Sequence, residues 1–122
     1  MDAFYLDQVI SSFLRNFQVF YRGLDNPVPF LPVDQISIED AHCCNDLNLL
    51  EHFKNSTVIL GSIAIAKSQI EKIDDIENRI RQALEHIDKN RLVIAPDCGL
   101  GLLNSNLAVA KLKVMCEAAS RF

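Results

Sequence analysis

Arg91-Leu92-Val93-Ile94-Ala95-Pro96-Asp97-Cys98-Gly99-Leu100-Gly101 carries an almost continuous apolar run straight into a turn. Such a run predicts a strand of a parallel sheet buried on both faces, and the proline and glycines after Ala95 bring it to an end. Cys98 then falls just past the strand's carboxyl end, between Asp97 and a glycine that lets the backbone turn tightly. That is a position for a metal ligand or a nucleophile, because both depend on a thiolate that an ion or substrate can reach. Gly99-Leu100-Gly101 is not a dinucleotide fingerprint: its third glycine is missing, and the turn follows a third predicted strand instead of opening a first unit.

Upstream, Thr57-Val58-Ile59-Leu60-Gly61-Ser62-Ile63 repeats the strand signal. Ser68-Gln69-Ile70-Glu71 then has the form of a capping box before Ile73, Ile76, Ile80, Leu84 and Ile87 at helical spacing. Gln35-Ile36-Ser37-Ile38 is a short alternating strand that ends in Glu39-Asp40, and a helix carrying Leu47, Leu49, Leu50 and Phe53 is expected after it. Downstream, Asn104 or Ser105 caps a last helix with Leu107, Ala110, Leu112, Val114, Met115 and Ala118, in which Cys116 is expected to pack. Three successive strand-helix units predict a parallel α/β architecture, in which loops at the carboxyl ends of the strands form the functional face. Glu39 and Cys98 both fall there. Before these units, residues 2–17 read as an amphipathic helix and residues 22–32, rich in proline, as a loop, which divides the chain into 1–32 and 33–122.

With 122 residues, 49% of them hydrophobic, the chain suits one small domain with a real core. Twelve Lys and Arg against sixteen Asp and Glu give a net charge of -4, and the cations are dispersed, which argues against nucleic acid as a partner. No stretch approaches the roughly 20 apolar residues of a membrane span and no signal peptide opens the sequence, so a soluble, cytoplasmic protein is expected. Cys43, Cys44, Cys98 and Cys116 form no disulfide framework by spacing and are expected as free thiols.

Pro96-Asp97-Cys98-Gly99-Leu100-Gly101 resembles the cysteine motif near the end of the C-terminal catalytic barrel of the cobalamin-independent methionine synthase family. Val33-Asp34-Gln35-Ile36-Ser37-Ile38-Glu39 is similar to that family's strand ending in a zinc-binding glutamate, and the likeness runs over about residues 33 to 122. The resemblance implies a partial (β/α)8 TIM barrel: a C-terminal sector of about three strand-helix units, with an N-terminal helix added. It implies zinc as cofactor, with Glu39 and Cys98 as two metal ligands, and methyl transfer from a methylated folate to the small-molecule thiol homocysteine. The family's other two ligands come from an upstream His-x-Cys motif; Gln18 and Phe20 lie where it would be sought, and neither side chain can replace it.

His42 and Cys44 reproduce His-x-Cys just after Glu39 and are an alternative source of ligands, set against a plain loop with an exposed histidine and two partly buried thiols. His52 and His86 have no partners at zinc spacing, and Asp74-Asp75 reads as a helix start. Two functions are expected from these residues. One is a zinc methyltransferase segment completed by further barrel strands from the same or another chain. The other is a non-catalytic homologue that acts as an interaction or assembly module through self-association.

Overall fold

The computed structural model describes residues 34–122; the expected N-terminal helix and proline-rich loop lie outside the described residues. Three strands, β1 (Gln35–Ile38), β2 (Thr57–Ile63) and β3 (Leu92–Pro96), pair in parallel in the order β1-β2-β3. Each crossover therefore lands on the next neighbour, as in a singly wound barrel. Helix α1 (Ile73–Leu84) links β2 to β3, and α2 (Ser105–Ala119) follows β3.

Strand register decides which side chains meet the helices. Ile36, Val58 and Leu92 are paired in one row, and Ile38, Leu60 and Ile94 in a second row on the same face. Leu92 and Ile94 pack on a buried cluster of Ile63, Ile76, Ile80, Met115 and Ala118, so this is the face under α1 and α2. The opposite face carries Ser37, exposed, Ile59, half-buried, and Val93, 46% exposed. The expectation that β3 is buried on both faces is thus corrected: the two helices cover one face alone among the described residues. An irregularity between Gly61 and Ile63 adds Ser62 to the ladder and brings Ile63 into line with Pro96. The extra residue turns Ile63 onto the helix side, where it is completely buried.

Other expectations shift for local reasons. The helix expected after β1 is a six-residue 3-10 segment, Leu47–His52, capped by Asp46, whose side chain accepts from the Asn48 N–H. Leu47, Leu49 and Leu50 are all buried within it, and the Phe53 N–H closes it on the Leu50 carbonyl. The capping box does not form: α1 begins at Ile73 behind Lys72, which makes no side-chain cap, and it ends at Leu84, before Ile87. Glu71 is held instead by Lys111 and the Ala64 N–H. Asp74 and Asp75 do lie in the first turn of α1, and Asn104 caps α2 by accepting from the Leu107 N–H at 2.9 Å. On α2 the buried residues are Lys111, Met115 and Ala118, whereas Cys116 is exposed.

Candidate functional site

The carboxyl ends of all three strands are tied together by one carboxylate. Asp97 follows β3 and extends the ladder by donating its N–H to the Ile63 carbonyl at 3.1 Å. Two residues on from Ala95, which pairs with Gly61, its side chain falls on the face away from the helices and crosses over Gly61. A Cβ at Gly61 would lie 2.1 Å from Asp97 Oδ1 and 2.8 Å from its Cα, so only glycine lets this carboxylate pass. Beyond Gly61, Oδ1 accepts from the N–H groups of Asp40 and Ala41, each at 3.0 Å. Oδ2 accepts from the His42 N–H at 2.9 Å and meets His42 Nδ1 at 2.6 Å. Three successive backbone donors converge on a fully buried side chain, an arrangement that suits an anion.

His42 carries the tie to the third loop, because its Nε2 accepts from the Ala66 N–H at 3.1 Å. An acceptor role for Nε2 assigns the ring proton to Nδ1, facing Asp97. Both nitrogens are therefore used inside the protein, which removes His42 as a substitute metal ligand. Cys43 and Cys44 are exposed free thiols, not partly buried ones.

A second buried carboxylate shapes the loop from inside. Asp40, 1% exposed, takes a two-pronged contact from Arg79 on α1, at 2.5 Å from Nε and 2.6 Å from Nη2. It also accepts from the Asn45 N–H at 2.8 Å, and Arg79 reaches the Asn45 carbonyl. The guanidinium's pKa is raised above its usual value, first by the hydrogen bond to Asp40, with burial opposing it and the charges of Asp40 and Cys44 adding to it.

On the far side of the sheet's end, Lys111 is wholly buried. Its Nζ donates to the carbonyls of Ala64 and Gln69 and to both oxygens of Glu71, at 2.6 to 3.1 Å. The loop after β2 is thus anchored to α2 by a charge, beside the apolar contacts of Met115 and Ala118. A cavity of about 320 Å³ opens between these two ion pairs, with Asp40, Cys44, Lys67, Glu71 and Arg79 on its walls. Neither Glu39 nor Cys98 lines it.

Glu39 is the first residue after β1 and Cys98 the second after β3, and both are exposed. Glu39 is held through its backbone, whose carbonyl accepts from Asn45 Nδ2 at 2.7 Å. Their side chains have no hydrogen-bond partner among the described residues, while the residues next to them, Asp40 and Asp97, are bonded to each other. No group of three or more His, Cys, Asp or Glu able to hold a metal occurs among the described residues. His52 is exposed, and His86 pairs with Glu51 at 2.7 Å. Sequence reasoning noted Asp97 as the neighbour of Cys98 alone; the one signal for its role was a glycine inside strand β2, the mark of a close approach. Lys111 gave no signal, since a lysine on an amphipathic helix ordinarily faces water.

Residues 21–121 match the family model described as the catalytic domain of cobalamin-independent synthases, a match that begins upstream of Val33. A methionine synthase of Pyrococcus horikoshii is 31% identical over 87 residues, which cover 70% of this chain and 26% of that protein. The 5-methyltetrahydropteroyltriglutamate–homocysteine methyltransferase of Buchnera aphidicola is 32% identical over 102 residues, 80% of this chain and 13% of that one. Among solved structures, a B12-independent methionine synthase from a Shewanella species, in complex with selenomethionine, superposes with a TM-score of 0.69 at 27% identity, over 73% of this chain and 26% of that one. The chain thus spans about a quarter or less of the length of these relatives, and its sheet is a sector of a (β/α)8 barrel. With the family match running over most of its length and the strand-end loops built as described, the chain belongs to the cobalamin-independent methionine synthase catalytic-domain family.

Proposed function

We propose that this chain takes part in methyl transfer from a methylated folate to the thiol of homocysteine, the activity for which its Buchnera relative is named, and that Glu39 and Cys98 are two ligands of a zinc ion serving it. The observation that carries the reading is the pair of free, exposed donors at the carboxyl ends of the two outer strands, on loops bonded to each other through Asp97. A carboxylate and a thiolate both suit zinc, which takes about four nitrogen, oxygen or sulfur ligands. Zinc, when bound, supplies the Lewis acidity that keeps an acceptor thiol ionised at neutral pH. Two ligands and the remaining strands come from outside residues 34–122, from a longer chain or a complementing one, and the setting is the cytoplasm. In favour of further strands stands the uncovered sheet face with Ile59 and Val93, which in a closed barrel is the interior.

The same face favours a second reading, a module without catalysis that associates with itself or with another barrel segment. Zinc content separates the two. Metal analysis of the purified chain, with and without its complementing strands, is expected to find zinc that Cys98→Ala removes together with methyl transfer. If neither zinc nor activity depends on Cys98, the enzyme reading is wrong. A stable monomer by light scattering would count against the module.

A further inference from the structure

Glu39 and Cys98 follow the two outer strands of a three-stranded sheet, so β2 lies between them. Neighbouring strands are about 4.8 Å apart, which puts the two outer ones about 10 Å apart at their ends. Zinc binds sulfur at about 2.3 Å and carboxylate oxygen at about 2.1 Å, so two donors on one ion lie within about 4 Å of each other. Loops leaving the strands straight ahead would hold the donors too far apart. Something must lean one loop across β2.

We propose that Asp97 is the positioning residue that does so, an inference that rests on the zinc reading above. Its carboxylate crosses β2 on the face away from the helices and takes the N–H of Asp40, adjacent to Glu39, while its own backbone is adjacent to Cys98. The bonds to Ala41 and His42 fix the direction in which the β1 loop leaves its strand, and the His42 ring ties in the loop after β2 through Ala66. Gly61 is the opening that permits the crossing. The donors' own side chains have no partner among the described residues, so their spacing is carried by the backbone that Asp97 and Asn45 hold. An asparagine at 97 keeps the shape but turns an NH₂ group toward a donor, leaving the His42 N–H or the Asp40 and Ala41 N–H groups without an acceptor.

The test is a cobalt titration of the full chain together with its complementing strands, in a Cys43→Ser/Cys44→Ser background, followed by the thiolate-to-cobalt absorption band. The parent is expected to show a band that Cys98→Ser diminishes and Glu39→Gln weakens. Asp97→Asn is expected to lower cobalt affinity about 10- to 100-fold, the usual effect of losing an outer-shell partner, while circular dichroism still reports the folded chain. A carboxylate with a purely structural role would lower the melting temperature and leave the affinity of the folded molecules unchanged. A parent without a Cys98-dependent band overturns the zinc reading and this inference with it. A Cys98-dependent band with Asp97→Asn affinity within twofold of the parent overturns the positioning role alone. Should Asp97→Asn fail to fold, hydrogen exchange on the parent decides: the Asp40, Ala41 and His42 amides are expected to be protected before metal is added, and fast exchange there overturns the proposal.

Discussion

The helix-covered face of this small sheet and the loops at its carboxyl end are built by different physics. Beneath the helices, Ile63, Ile76, Ile80, Met115 and Ala118 form a cluster held by burial, non-directional and tolerant of detail. At the carboxyl ends of the strands, order comes from three buried charged groups, Asp40, Asp97 and Lys111, each satisfied by three or more directed bonds. Apolar packing fixes which face of each element points inward, whereas the charged groups fix where individual loop atoms stand. No buried side-chain polar atom among the described residues lacks a partner, so the polar end is as complete as the apolar one.

Substitutions in each region, with a helix cap as the control, separate the two regimes. The largest effect is expected at Lys111: replacement by Ala strips the Glu71 carboxylate of its buried partner and costs about 3–5 kcal/mol of unfolding free energy in urea titrations. In the Glu71→Gln background the same change should cost much less, and an equal cost would show that the ion pair is not what holds the loop. Next comes Ile80→Ala, expected to cost about 2–4 kcal/mol through lost burial and a cavity, yet to leave the amide resonances of Asp40, Ala41 and His42 in place. Gly61→Ala forces Asp97 aside and is expected to cost about 1–3 kcal/mol while shifting those same three resonances, the reverse pattern. Unmoved resonances there would mean that Asp97 reaches the β1 loop by another path. Asn104→Ala, which removes the cap of α2, is expected to cost about 1 kcal/mol and to affect neither region selectively.

The smallest expected effect concerns pH. Arg79 has a raised pKa in the folded chain, so its contribution is fully present below the unfolded value and is lost only as pH rises through the still higher folded value. Both lie well above neutrality. Arg79→Lys, which keeps a cation opposite Asp40, should therefore leave the slope of stability against pH unchanged across the neutral range, and a slope there that vanishes with the substitution would contradict the assignment.

Much of the apolar architecture was legible because it repeats. The period-two alternation of Gln35–Ile38, the β-branched run at Thr57–Ile63 and the helical spacing from Ile73 through Ile80 each announce an element, and each is present. The resemblance to the synthase family, carried by Pro96 to Gly101 and by Val33 to Glu39, was legible for the same reason, since local motifs survive as strings. What misled were residues whose role depends on distant partners. Glu71 looked like half of a capping box, three residues after Ser68, yet its carboxylate answers to Lys111, forty positions away. Cys116 reads as packing, yet the helix leaves it exposed and buries Lys111 beside Met115 and Ala118, which puts the ammonium against Glu71 and two carbonyls. His42 offered a ligand motif by spacing, but Asp97 and Ala66 take both of its nitrogens.

Sequence by itself determined the strands, their order along the chain, the two helices that follow β2 and β3, and the family, because periodicity and local motifs are properties of neighbouring residues. Only the tertiary structure decided that the strands are covered on one face, that Asp97 reaches over Gly61 to the β1 loop, and that a buried lysine anchors the loop after β2. The last two are contacts between residues 36 to 57 positions apart, and a contact at such separation leaves no periodic trace: it exists only once the sheet has brought its strand ends together.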